Sequence, residues 1–271
     1  MIFFSIAYLC FLISALAYLV HLLRPGKWIG WAATGMSAVS LVMLTIGLAL
    51  RTIQSGHWPL ATTYEFTLVF LWGTVLVYLL LERVMNTRAG GAFILPIAFL
   101  IATYAWVLMP SSARAPHPLL PVLRSIWLQL HTLTAAMGYG GLTAACGAGL
   151  MYLLKEAHSS LAERLPSLQK LDAYNYRAVA FGYPWMSLAI ITGAIWAQVA
   201  WGNYWSWDIK ETWALLIWLV YTLFFHTRVI RGWRGRPTAI ISVVGFLMVL
   251  FTCLGVGWLA REVDLESLHV Y

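Results

Sequence analysis

The stretch that decides the fold is Trp201-Gly202-Asn203-Tyr204-Trp205-Ser206-Trp207-Asp208-Ile209-Lys210-Glu211-Thr212-Trp213. Four Trp and one Tyr stand among these thirteen residues, with three of the chain's few charges: Asp208, Lys210 and Glu211. Apolar runs flank it, at roughly 178–199 and 212–230, each near the ~20 residues that a membrane-spanning helix needs. A short aromatic segment between two such runs is expected at a membrane–water interface, where Trp and Tyr collect.

The composition agrees. The chain has 271 residues, of which 61% are apolar and 10% charged, whereas a soluble domain carries about 25% charged residues. The expected fold is all-α, a polytopic membrane helix bundle of about eight transmembrane helices, at roughly 2–23, 28–50, 63–82, 92–109, 128–154, 178–199, 212–230 and 238–260. No linker divides residues 1–271, so one domain is expected, with the aromatic segment 200–213 at one face. The first run starts at Ile2 without a basic leader and is longer than a signal-peptide core, which predicts a retained helix. The net charge of +7 invites a nucleic-acid reading, but its placement in the connections argues against one.

Lys and Arg orient the bundle. Arg24, Lys27, Arg83, Arg88, Lys155, Arg164, Lys170, Arg177, Arg228, Arg231, Arg234 and Arg236 fall on one side, and Arg51, Arg114, Arg124, Lys210 and Arg261 on the other, 12 against 5. The richer side is expected in the cytoplasm. Both termini, the aromatic segment and the tail 261–271 are then expected outside. The connection 155–176 reads as a solvated helical linker, with His158 at its surface.

The fifth run is rich in small residues. Gly141, Ala145 and Gly149 recur every fourth position, as do Ala136, Gly140, Ala144 and Ala148. Small residues let helices approach closely, so this run is expected at the centre of the bundle. A hydrated pore is the competing reading, for which the run has few polar groups.

Flat aromatic faces beside carboxylates suit a large planar ligand such as a porphyrin; an aromatic belt at headgroup level is the alternative. The histidines add to this. His131 and His269 share the aromatic segment's side. His226 follows Glu211 by 15 residues, about 22 Å deeper at helical rise, and His21 lies at a similar depth. His57 and His117 fall in outer loops and read as solvated. An ionisable residue within a membrane is functional by default, and neutral imidazole is a common ligand of haem iron. The set suits two haem positions, one near each face. Cys10, Cys146 and Cys253 sit in apolar runs without a C-x-x-C pairing and read as packing residues.

Trp201-Gly202-x-x-Trp205-x-Trp207-Asp208-x-x-Glu211 resembles the WWD signature of haem-handling proteins in cytochrome c maturation, and the chain is most similar to the CcsA (ResC) family of system II. Further matching stretches are Ser125-x-Trp127-x-x-x-His131, Tyr176-Arg177 through Gly182-Tyr183-Pro184, Gly193-Ala194-x-Trp196, Thr212-Trp213-Ala214, His226-Thr227-Arg228 and Leu268-His269-x-Tyr271. Tyr64-Glu65 resembles the family's N-x-Y-E-S start of a span, with Thr62 and Phe66 in place of the usual Asn and Ser. Ser267 and Val270 replace the usual Gly and Ser around His269.

The resemblance implies a haem-binding core of a cytochrome c synthase (haem lyase) complex. His131 and His269 would ligate the outer haem iron at the platform of Trp201, Trp205, Trp207, Asp208 and Glu211, and His226 the inner haem iron. Haem b would be bound as a substrate. The implied partners are a CcsB/ResB-like membrane protein, apocytochrome c and thiol-reducing partners. Haem transport and its attachment to a C-x-x-C-H peptide follow, with no nucleophile required of this chain. Asp208 and Glu211 would orient the segment or pair with Lys210 or with Arg51, Arg114 and Arg124, unless those arginines hold the haem propionates. A bacterial cytoplasmic membrane is expected, rather than a plastid thylakoid. The rival readings are a HemX-type regulatory or scaffolding protein without attachment activity, and a solute transporter, which predicts repeats and broken helices that this sequence lacks.

Overall fold

In the computed structural model, residues 2–116, 119, 121–158 and 163–256 are described. Eight helices among them are long and apolar enough to cross a membrane. They are α1 (Ile2–Leu23), α2 (Lys27–Ser55), α3 (Thr63–Met85), α4 (Gly91–Thr103, prolonged by a π-helical turn, Tyr104–Leu108), α5 (Ile126–Ala157), α6 (Leu168–Trp201), α7 (Ile209–Ile230) and α8 (Arg236–Leu250, prolonged by a π-helical turn, Phe251–Gly255). The chain is thus a polytopic helical bundle, as its apolar runs require.

Local chemistry sets the ends. Thr62 caps α3 and accepts from the Glu65 N–H, while Glu65 Oε2 accepts from the Thr62 N–H; this reciprocal pairing satisfies donors that a helix start leaves open. The Asn-to-Thr departure at Thr62 therefore retains a capping side chain. Ser125 caps α5 and Ser167 caps α6. Gly202, at φ 81°, stops α6 with a bond from its N–H to Gln198 O; the left-handed backbone suits glycine.

α5 is the hub. It packs on α3, α4, α6 and α8, and its small residues lie where other backbones press in. A Cβ at Gly141 would lie 2.8 Å from Gly182 Cα on α6, one at Gly140 2.9 Å from Gly73 on α3, and one at Gly149 2.8 Å from Ala239 O on α8. The buried hydroxyl of Thr143 bonds back to Tyr139 O.

The largest difference from the expected boundaries is at α6. The expected linker 155–176 ends early, because α6 runs unbroken from Leu168 to Trp201. Its 34 residues span about 51 Å, more than the ~30 Å hydrocarbon slab. The polar start of α6 therefore projects beyond the apolar layer. There Asp172 accepts from both terminal nitrogens of Arg228 on α7 (2.8 and 2.6 Å) and from the Gly235 N–H before α8 (2.8 Å). Charge ended the apolar run in the sequence, but the helix continues, with Asp172 paired across to α7.

At that same end, Glu82 accepts from Tyr18 (2.7 Å), Tyr78 (2.5 Å) and Thr34 (2.6 Å) and lies 3.4 Å from Arg88 Nε, tying α1, α2 and α3 together. At the opposite end, Arg51 Nε donates to the buried Glu65 (2.7 Å) and its Nη1 to Arg114 O (2.8 Å), pinning the 110–116 segment to α2 and α3.

Candidate functional site

The end of the bundle that carries the aromatic segment opens into a cleft of about 200 Å³. Its walls come from the start of α3 (Thr62, Phe66), α5 (His131, Thr132, Tyr139), α6 (Ala189, Gly193, Trp196), the aromatic connection (Tyr204, Trp205), α7 (Lys210, Glu211) and the π-helical turn of α8 (Thr252, Cys253). Pockets that engulf a drug-sized ligand are roughly 300–1,000 Å³. A space below that is too small to enclose a large planar ligand whole.

His131 is held on that wall. Its Nδ1 lies 2.8 Å from Ala189 O. A carbonyl only accepts, so Nδ1 carries a proton; in the neutral ring Nε2 then holds the lone pair. This is the form in which imidazole ligates a metal, steadied by a backbone bond behind it. The ring fits because position 193 is glycine: a Cβ there would lie 2.6 Å from Nδ1. Trp196, one turn further along α6, stacks on the imidazole (centroids 6.4 Å apart, planes 18° apart), and Trp201 meets Trp196 edge-on at 4.7 Å.

The aromatic connection is tied down by its acids. Glu211 Oε2 accepts from the Ser206 N–H (2.8 Å), the Ser206 hydroxyl (3.2 Å) and the Asp208 N–H (3.2 Å). Asp208 Oδ1 accepts from the Lys210 N–H at 2.7 Å. Together they form a reciprocal cap on α7. Orientation of the segment, one of the roles open to these acids, is supported by this geometry. Trp207 sits at φ 59°, a backbone region costly for a bulky L-residue. Its side chain is 70% exposed and packs edge-on to Trp205 at 5.7 Å.

The structure thus brings together His131, Trp205 and Glu211 on the cleft wall, with Trp201 behind Trp196 and Asp208 buried beneath the connection. Trp207 stands outward. His226 is exposed on α7, two residues before Arg228, away from the cleft. His21 bonds through Nδ1 to Gly26 O in the α1–α2 turn. The main neighbours of α1 are α2 and α4, and those of α7 are α6 and α8, so His21 and His226 belong to different parts of the bundle. His158 is exposed, and His57 bonds to the neighbouring Trp58 O. His269, His117, Arg261 and the tail 261–271 lie outside the described residues.

Several wall residues were not legible as site residues. Ala189 and Thr132 are unremarkable in sequence, and Lys210 read as a loop charge. Cys253 read as packing, like Cys10 and Cys146, which are buried; the π-helical turn brings it and Thr252 to the cleft instead. Such turns are rare and recur at functional sites. Among the described residues no three His, Cys, Asp or Glu side chains gather into a metal site. A ligand that brings its own ring of donors to the metal needs only an axial imidazole from each side.

The sequence matches the family described as Cytochrome C assembly protein over residues 60–263. Curated relatives named Cytochrome c biogenesis protein CcsA include one from Chlamydomonas reinhardtii, 36% identical over 87% of this chain and 67% of its own length. One from Guillardia theta is 32% identical over 98% and 94%, and one from Synechocystis sp. is 30% identical over 98% and 95%. A solved structure named Cytochrome c Heme Lyase CcmF superposes with a TM-score of 0.66 at 18% identity, over 96% of this chain and 50% of that one; this likeness concerns the fold. The matched region takes in α3 to α8 with every described wall of the cleft, and the relatives align over nearly the whole sequence. The protein therefore belongs to the cytochrome c assembly protein family, among its CcsA members.

Proposed function

We propose that this chain carries haem b to the cleft and presents it there for attachment to the two thiols of a C-x-x-C-H segment of apocytochrome c, within system II of cytochrome c maturation. The observation that carries this reading is His131: an imidazole with Nδ1 tied to a backbone carbonyl, stacked on Trp196, on the wall of the cleft. His131 is the proposed axial ligand on the cleft side and His269, in the C-terminal tail, the second. His226 is the proposed ligand for haem arriving from the opposite side of the membrane, with a partner histidine from a CcsB-like protein.

The cleft lies on the extracytoplasmic side in this reading, with both termini, and the membrane is a bacterial cytoplasmic membrane. The Trp205 and Trp201–Trp196 aromatics provide apolar contact, and the Asp208–Glu211 cap holds Trp205 in place. Each thiol adds across one vinyl group, sulfur to one carbon and hydrogen to the other, so no oxidant is needed. Thiol-reducing partners keep the peptide's cysteines ready. The chain's contribution is positioning, which can supply several kcal/mol of rate acceleration.

The test is the visible spectrum of the dithionite-reduced chain purified with its CcsB-like partner, for wild type and for His131→Ala, His269→Ala and His226→Ala. Sharp α and β bands in wild type that weaken in the first two variants are the expected result. Loss in His226→Ala as well would show that haem reaches the cleft through the inner position. A wild-type complex that shows no Soret band when supplied with haem would end the proposal.

A further inference from the structure

The end of the bundle opposite the cleft carries a compact group of cations between α7 and α8. The 22 residues of α7 span about 33 Å at helical rise, which matches the ~30 Å hydrocarbon slab. Its last residues, Val229 and Ile230, are 78% and 67% exposed, as residues facing acyl chains would be. Arg231, Trp233 and Arg234 follow at once and Arg236 opens α8; all four are exposed. They therefore stand at headgroup level, where Trp collects and where Arg can pair with phosphate.

The connection is held in place. Arg231 and Trp233 both donate their backbone N–H to Thr227 O (3.0 and 3.2 Å), and the Gly235 N–H donates to Asp172 on α6. Gly232 and Gly235 take a left-handed backbone (φ 65° and 73°), and a Cβ at Gly235 would strike the Tyr152 hydroxyl on α5. The acids in contact with the connection leave its arginines available. Asp172 is taken up by Arg228 and Gly235. Glu156 lies 3.6 Å from Arg236 in an exposed pair, which is worth little in water. Arg231 and Arg234 form no ion pair among the described residues. A fixed turn thus presents three guanidinium groups beside an indole and an apolar helix end.

We propose that the α7–α8 connection is a binding site for anionic phospholipid. Arg231, Arg234 and Arg236 take the headgroup phosphate, Trp233 lies at the interface, and Val229 and Ile230 meet the acyl chains. A lipid is favoured over a soluble anion because the cations adjoin exposed apolar residues of a spanning helix, which a soluble anion leaves uncovered. The turn is anchored to α5, α6 and α7, so lipid bound there fixes the depth of that end of the bundle in the membrane. The site is separate from the cleft and independent of the haem reading.

The experiment is native mass spectrometry of the full-length chain released from nanodiscs of equal parts phosphatidylglycerol and phosphatidylcholine. Wild type is expected to retain phosphatidylglycerol in preference. Arg234→Gln should lower the retained ratio by about fivefold, the worth of one cation at a charged bilayer surface. The triple variant Arg231→Gln, Arg234→Gln, Arg236→Gln should lose most of the preference, and the corresponding triple Lys variant should keep it. Arg24→Gln with Lys27→Gln, in the α1–α2 turn at the same end, should change the ratio little. Equal retention of both lipids by wild type would overturn the proposal without any variant. Equal losses in the two sets of variants would show only the general attraction of a basic face and would overturn the site. A triple Gln variant with the wild-type ratio would overturn it too, leaving the arginines to a protein partner. Displacement of the lipid by inorganic phosphate, and not by chloride at the same ionic strength, would assign them to a soluble anion instead.

Discussion

Gly193 and His131 are built around each other. The imidazole occupies the place of a side chain at position 193, with Nδ1 only 2.6 Å from where a Cβ would lie, and the carbonyl it bonds belongs to Ala189, four residues earlier on the same face of α6. One helix therefore supplies both the space and the acceptor that fix the ring.

Gly193→Ala tests this directly. The added methyl would force the ring outward and stretch its bond to Ala189 O. Overpacking of this kind costs about 1–3 kcal/mol, which a bundle of this size should survive. The expected result is a correctly inserted protein whose reduced α and β bands weaken as in His131→Ala, with a raised haem reduction potential as the imidazole loses its backbone partner. Unchanged bands and potential would mean that the notch does not set the ligand.

The Glu211 carboxylate holds the aromatic connection through backbone donors, so its charge should matter less than its acceptor oxygen. Glu211→Gln retains an acceptor and suits the same capping geometry. Glu211→Ala leaves the Ser206 and Asp208 N–H groups without it, at about 1–2 kcal/mol. Haem retention on mild heating should rank wild type and Glu211→Gln together above Glu211→Ala. If Glu211→Gln fails as badly as Glu211→Ala, the negative charge itself is required.

Trp207 adopts a left-handed backbone while its indole points to the surface. Relieving that conformation with Trp207→Gly should recover about 1–2 kcal/mol, partly offset by the lost contact with Trp205. Strain of this kind is retained where function needs it. Thermal melting of the variant is therefore expected at or above the wild-type value, with a reduced yield of holocytochrome c in a co-expression assay. A destabilised variant with normal yield would assign Trp207 to structure instead.

The contact between Gly141 and Gly182 leaves no space for a side chain on either helix. Gly141→Leu should separate α5 from α6 and with it the two halves of the His131 site. Loss of the monodisperse peak in detergent size-exclusion chromatography is the expected outcome, without loss of membrane insertion, because each span's apolar length is unchanged.

The residues behind these predictions were legible to different degrees. Asp208 and Glu211 read as residues that would orient the segment or pair with cations, and the structure shows them capping α7. The Gly and Ala repeats placed α5 at the centre. Lys210 and Cys253 gave no such signal: one is a charge beside two others, the second a thiol in an apolar run. Thr62, a departure from the family's usual Asn, is a helix cap.

Apolar length, small-residue spacing and the interfacial position of the Trp-rich segment are properties of the chain read one stretch at a time. The sequence therefore determined by itself the eight spans, the central helix and the end of the bundle where the site lies. Which faces meet in the cleft was decided only by tertiary structure. A helix that is apolar nearly all round, as α5 and α8 are, presents no polar stripe to set its rotation. That rotation is set instead by backbone contacts at Gly140, Gly141 and Gly149, and the π-helical turn then shifts Thr252 and Cys253 to the cleft. His131 Nδ1 donates to Ala189 O, 58 residues away in the chain, a relation that exists only once α5 and α6 have packed.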